Sequence, residues 1–195
     1  VIPVIKIEDE YKAVKMAEAL IRGGINVAEI TLRTKSAAKS IEVISKKLPE
    51  MYVCAGTVLN SDQAEEAVSC GAKAIVSPGT NNNVVEWCRK REVPVVPGCV
   101  TPTEIENAMT SGLKVLKFFP AEAAGGVKML EALYGPYAEV LFMPTGGINK
   151  NNVKDYLKMP NVFACGCSWI VSPDLLQSEN YDEIQKRAVE IKSMI

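Results

Sequence analysis

"GLKVLKFFPAEAAGG", residues 112–126, decides how the chain is to be read. A glycine closes a helical pattern, Val115 to Phe119 forms a run of strand formers, and a turn rich in Pro and Gly follows. Lys117 stands in the middle of that run, although lysine is a poor strand former and costly to bury. Side chains alternate across a strand, so Val115, Lys117 and Phe119 share one face and Lys114, Leu116 and Phe118 share the other. Lys114, at the start of the strand, can snorkel to water. Lys117 has no such exit and needs a function or a partner.

The same unit recurs along the chain. Apolar runs at Ile2–Ile7, Val27–Leu32, Met51–Ala55, Ala74–Ser77, Val93–Val96, Val115–Phe119, Val140–Pro144 and Val162–Cys165 alternate with amphipathic stretches such as "SAAKSIEVISKKL" and "TPTEIENAMTS". Gly24, Gly71 and Gly112 suit left-handed helix ends; Ser61, Thr101 or Thr103, and Asn149 suit helix starts. Eight strand–helix units in 195 residues leave roughly 24 residues per unit, which is compact but workable for a (β/α)8 TIM barrel. The pattern therefore predicts an α/β chain forming one (β/α)8 barrel domain over residues 1–195. An open doubly wound sheet is the alternative. Short, evenly spaced strands, polar residues at the strands' C-terminal ends and the lack of G-x-G-x-x-G after the first strand favour the barrel.

Composition narrows the chemistry. With 48% hydrophobic residues the chain can build one sizeable core. Charged residues make up 23%, the formal net charge is −1, and no basic face stands out, so no nucleic-acid partner is expected. No apolar run approaches bilayer length and no signal peptide is evident, so no membrane partner is expected either. The six cysteines, Cys54, Cys70, Cys88, Cys99, Cys165 and Cys167, have no framework spacing and read as reduced thiols of a cytoplasmic protein. Cys165-x-Cys167 is not a zinc spacing. The chain has no histidine. Ser-His-Asp and Cys-His catalysis and His-ligated metals are thereby excluded, which leaves Glu, Asp, Lys, Tyr or Cys for any acid–base work.

The second strand candidate, "VAEITLR", places Glu29, Thr31 and Arg33 on one face and Ala28, Ile30 and Leu32 on the other. In a barrel the polar face points inward, where Glu and Arg need each other or a ligand. On the sixth candidate the face of Lys117 also points inward. An amine stripped of water there is freed as a nucleophile toward carbonyls; equally, it can serve as counter-ion to Glu29 or to a phosphate. Thr145-Gly146-Gly147 follows the seventh candidate and Gly166-Cys167-Ser168 the eighth, the usual place of a phosphate cradle in such barrels, with a following short helix offering its positive end. Tight turns without a ligand would look the same. Thr57, Ser77, Pro78 and Gly98 stand at the ends of other strand candidates.

In order along the chain, "EITLRT", "AGTVLN", "SPG", "PGCVTPTE", "LKFFPAEAAGGVK", "PTGGI" and "GCSW" resemble the class I 2-keto-3-deoxy-6-phosphogluconate aldolase / 4-hydroxy-2-oxoglutarate aldolase family, from residue 1 to about 174. The resemblance implies a metal-independent aldehyde-lyase with no cofactor, built on a (β/α)8 barrel and assembled as a homotrimer around a small keto-acid substrate. It implies Lys117 as the Schiff-base lysine and Glu29 as the general acid/base. It also implies Arg33 and Thr57 near the substrate carboxylate, Pro78 and Phe119 lining the pocket, and Gly146, Gly147 and Ser168 at the phosphate. A 2-keto-3-deoxy-6-phosphogalactonate aldolase, or a sugar-phosphate isomerase or epimerase, is the alternative. Two departures stand out. Similar proteins begin with a helix under the barrel, whereas this sequence starts almost on its first strand. Relatives often read Gly-Gly-Ser-Trp where this chain reads Gly166-Cys167-Ser168-Trp169, so the Cys167 thiol is expected to narrow or reorient the phosphate cradle.

Overall fold

The computed structural model describes residues 1–194. Strands and helices alternate as the apolar pattern predicts. In chain order they are β1 (Ile2–Ile5), a 3-10 turn (Glu10–Lys12), α1 (Ala13–Arg22), β2 (Val27–Thr31), α2 (Ala37–Lys47), β3 (Tyr52–Gly56), α3 (Ser61–Ser69), β4 (Ala74–Val76), α4 (Asn82–Lys90) and β5 (Val95–Val96). There follow β6 (Gly98–Cys99), α5 (Pro102–Thr110), β7 (Val115–Phe118), α6 (Gly126–Tyr134), β8 (Leu141–Pro144), α7 (Val153–Leu157), β9 (Gly166–Cys167), α8 (Pro173–Gln177) and α9 (Tyr181–Lys192).

The closed ring of eight strands expected from the sequence is corrected here. All pairings are parallel, but they form two sheets, one of six strands in the order β5-β4-β3-β2-β1-β9 and one of three in the order β6-β7-β8. Pro97 is one physical reason. It has no N–H to give a ladder, and it separates β5, at the end of the fifth run, from β6 beyond that run. The eighth candidate, Val162–Cys165, is the other. Val162 makes only an isolated bridge to Phe142, and the strand that pairs with β1 is Gly166–Cys167. Between β8 and the chain around β9 the pairing consists of two isolated bridges, Phe142↔Val162 and Thr145↔Gly166.

The helices bury one stripe each against the sheets. In α2 the buried residues Ala37, Ser40, Ile41 and Ile44 follow the spacing i, i+3, i+4, i+7. The main core lies between strands and helices and contains Leu116 and Phe118 of β7, with Phe118 edge-on to Phe142 at 6.3 Å between centroids. A smaller cluster of Cys54, Ala74, Val76, Met143 and Ala164 draws on both sheets, so the sheets face each other across it. Lys114 is exposed and ion-paired with Glu139, as its position before β7 predicts.

The helix ends bear out some of the sequence signals. Gly24, Gly71 and Gly112 adopt φ of 82°, 101° and 79°. Thr101 caps α5 in a full capping box with Glu104, ahead of Pro102. Asn60, not Ser61, caps α3 by accepting from the Gln63 N–H. Asn149 lies in the turn before α7, which starts after Asn152. Thr101→Ala removes the acceptor for the Glu104 N–H and is expected to cost about 1 kcal/mol of stability, measured by urea denaturation with an unchanged slope.

Candidate active site

Parallel pairing sets Glu29 of β2 opposite Val4 and Cys54, and Lys117 of β7 opposite Gly98 and Met143. The two residues belong to different sheets, and their side chains meet between them. Lys117 Nζ donates to Glu29 Oε1 at 3.1 Å. Glu29 is 0% exposed and Lys117 is 4% exposed. Removing both charges from water is costly, and a pair in this position needs good geometry to persist. Glu29 is not fully satisfied: Oε2 is buried without a partner among the described residues. A buried carboxylate oxygen without a protein partner can accept a hydrogen bond from a water or a ligand hydroxyl. Gly56 on β3 leaves room for this carboxylate, because a Cβ there would collide with Glu29 Oε1.

Phe119 lies beside the pair, and Pro78 and Thr57 stand at neighbouring strand ends. The Phe119 ring lies 5.5 Å from Lys117 Nζ, within cation–π range. Pro78 is close through its carbonyl, which packs so tightly on Gly98 that no side chain would fit there, and Gly98 is the register neighbour of Lys117. Thr57, directly after β3, has φ of 59°. A β-branched residue pays roughly 1–3 kcal/mol in that conformation, and such strain collects at functional sites.

Arg33 requires a correction. It was expected on the inward face of the second strand, but β2 ends at Thr31, and Arg33 is exposed in the bend beyond. A tether holds it at the rim: Arg33 Nε donates to Thr31 Oγ1 at 3.2 Å, and the buried Thr31 hydroxyl donates to the Ile5 carbonyl at 2.9 Å. No hydrogen bond among the described residues joins Arg33 or Thr57 to Lys117 or Glu29.

The two glycine turns do come together. Thr145 follows β8 and bridges Gly166, whose missing side chain leaves space for Thr145 Oγ1. Gly146 and Gly147 adopt φ of 103° and 81°. Ser168, just past β9, is exposed. Neither turn runs straight into a helix as expected: α7 starts at Val153 and α8 at Pro173. The Cys167 thiol is fully buried in the main core.

Thr31 and Gly56 were left without a role by sequence reasoning, and Thr145 was read only as part of the glycine turn at the candidate phosphate cradle. Thr31 carried a signal in sharing the face of Glu29, and Thr145 in preceding the Gly-Gly pair. Gly56 carried none, because its importance is the space it leaves for a residue on another strand.

Cys54, the register neighbour of Glu29, is a rival nucleophile beside the pair. Burial, reinforced by the negative charge of Glu29, pushes its thiol up to about 12. Burial likewise pushes Cys99 up to about 12. Such thiols stay protonated near neutrality and are poor nucleophiles. Of the groups brought together here, the Lys117 amine is the one suited to attack a carbonyl.

Over residues 1–187 the chain matches the KDPG and KHG aldolase family. It belongs to that family. It is 44% identical over 195 residues to the 2-dehydro-3-deoxy-phosphogluconate aldolase of Haemophilus influenzae, covering 100% of this chain and 92% of the relative. It is 45% identical over 190 residues to the KHG/KDPG aldolase of Escherichia coli, covering 97% and 89%. Among solved structures, the KDPG aldolase of Legionella pneumophila with pyruvate captured at low pH as a covalent carbinolamine superposes with a TM-score of 0.95. That protein is 40% identical, with coverage of 97% of this chain and 92% of its own. No helix among the described residues is long and apolar enough to cross a membrane.

Proposed function

We propose that this member of the KDPG and KHG aldolase family is a class I aldolase that cleaves 2-keto-3-deoxy-6-phosphogluconate to pyruvate and glyceraldehyde 3-phosphate, and 4-hydroxy-2-oxoglutarate to pyruvate and glyoxylate. The observation that carries the proposal is the buried Lys117–Glu29 pair, 3.1 Å apart, with Glu29 Oε2 unpartnered among the described residues. The names of the relatives and the covalent carbinolamine of the Legionella enzyme support it.

In this mechanism the Lys117 amine attacks the C2 ketone, and the carbinolamine loses water to give an iminium. Glu29 supplies and removes the protons of those steps. The C4 hydroxyl then gives its proton to Glu29, directly or through a water. The C3–C4 bond breaks, its electron pair enters the iminium system as an enamine, and the aldehyde departs. Protonation of C3 and addition of water release pyruvate and return the amine. Arg33 and Thr57 hold the substrate carboxylate from the rim. Pro78 and Phe119 shape the pocket, and Gly146, Gly147 and Ser168 receive the phosphate.

The homotrimer that the resemblance implies is part of this proposal. A reducing, cytoplasmic setting is supported by six free cysteines, five of them buried. Steady-state assays of pyruvate release test the substrate assignment. Turnover of 2-keto-3-deoxy-6-phosphogluconate and of 4-hydroxy-2-oxoglutarate, unaffected by a chelator, is the expected result. Cleavage of the galactonate epimer alone, or isomerisation of a sugar phosphate without pyruvate release, would overturn it.

A further inference from the structure

In "LKFFPAE" the glutamate, Glu122, has no part in the chemistry above, yet it contacts both glycines of the turn after β8. Its backbone N–H donates to the Gly146 carbonyl at 3.1 Å, beside the bond from the Ala121 N–H to the Thr145 carbonyl at 2.8 Å. Its side chain lies flat on Gly147: a Cβ on that glycine would meet Glu122 Cγ at 2.5 Å and Cβ at 2.7 Å. Its carboxylate Oε1 accepts from the phenol of Tyr156. Tyr156 is fully buried on α7, the helix after the glycine turn, and burial followed by the bond to Glu122 raises its phenol well above the usual range. Glu122 takes part in no ion pair among the described residues. The remaining carbonyl of the turn, that of Gly147, accepts from the side-chain amides of Asn149 and Asn152 at 3.1 and 3.2 Å. The protein thus occupies every carbonyl of residues 145–147, and the Thr145 N–H donates to the Phe118 carbonyl at 2.9 Å, whereas the N–H groups of Gly146 and Gly147 have no protein acceptor among the described residues and remain for an anion.

We infer that Glu122 is a positioning residue that clamps the Gly146–Gly147 turn between β7 and α7, and that Tyr156 caps its carboxylate so that the clamp does not repel a phosphate dianion. The inference builds on the proposal that this turn receives the substrate phosphate. It assigns the selectivity for phosphorylated over unphosphorylated keto acids to a pair of residues that do not touch substrate. Glu122 holds the shape of the cradle. The Tyr156 hydrogen bond keeps a negative charge directed away from it.

The test compares wild type, Glu122→Gln, Glu122→Ala and Tyr156→Phe on 2-keto-3-deoxy-6-phosphogluconate and on 4-hydroxy-2-oxoglutarate. Glu122→Ala is expected to raise KM for the phosphorylated substrate about tenfold and to leave kcat/KM for the unphosphorylated one within about twofold. Glu122→Gln still accepts from the phenol and should behave as wild type. Tyr156→Phe uncaps the carboxylate, so its rise in KM should shrink with added salt. An equal loss on both substrates, or no change in any variant, would overturn the inference. Wild-type cleavage of the phosphorylated substrate, measured first, separates the two claims. If it is absent, the phosphate assignment fails and the inference with it. If it is present but the variants do not discriminate, only the inference fails.

Discussion

Pyruvate and borohydride together will leave a permanent carboxyethyl group on Lys117, and Lys117→Ala will lower kcat/KM by at least about 10⁴-fold, the scale seen when a covalent nucleophile is removed. Mass analysis of the peptide that carries "LKFFPAE" reads the first outcome, and pyruvate release reads the second. Alanine alone is an imperfect probe. It leaves Glu29 buried without its cation, and breaking a buried pair from one side costs about 3–5 kcal/mol, enough to unfold a marginal protein. Lys117→Arg closes that gap. It keeps a positive charge facing Glu29, but a guanidinium does not form a Schiff base at neutral pH. If Lys117 acted only as a counter-ion, arginine would preserve much of the activity. As a nucleophile it cannot be replaced by arginine, and both variants should be equally inactive while Lys117→Arg keeps a cooperative thermal transition. An adduct on any other lysine, with none on Lys117, would sink the mechanism.

How much of this was legible in the sequence depends on the range over which each feature is determined. Alternation along a strand is local, so the inward face of β7 and the placement of Glu29 with Thr31 could be read from six or seven residues. The fate of Lys114, exposed beside Glu139, followed from the same count. Arg33 was misplaced because alternation says nothing about where a strand stops. β2 ends when its neighbour β3 runs out at Gly56, a fact of pairing and not of propensity. The split into two sheets was written at Pro97 but not weighted there, and the last strand moved to Gly166–Cys167 because its register against β1, like the end of β2, is set by pairing with a distant segment and not by its own apolar run. Gly56 and the Glu122–Tyr156 contact were out of reach altogether, since each depends on side chains brought together from separate elements.

Glu29→Gln should lower kcat by roughly 10²–10⁴-fold, the usual contribution of a positioned acid–base group. The substitution keeps the size of the side chain, so the space left by Gly56 remains filled, and the amide oxygen can still accept from Lys117. What it removes is the ability to take a proton from the C4 hydroxyl and to return one to the enamine. The split between constants carries the argument. A fall in kcat with KM little changed means that Glu29 works in the proton transfers of the bound substrate. A rise in KM alone would reduce it to a counter-ion for Lys117. The position of Oε2 favours the first outcome, because it is a buried carboxylate oxygen beside Lys117 with no protein partner among the described residues and is therefore free to accept from a hydroxyl or a water. Exchange of the methyl protons of pyruvate with deuterium oxide gives an independent check, since it needs the Lys117 enamine and a proton carrier but no carbon–carbon cleavage. It should slow in Glu29→Gln by a similar factor, and exchange at the wild-type rate would remove Glu29 from the protonation step.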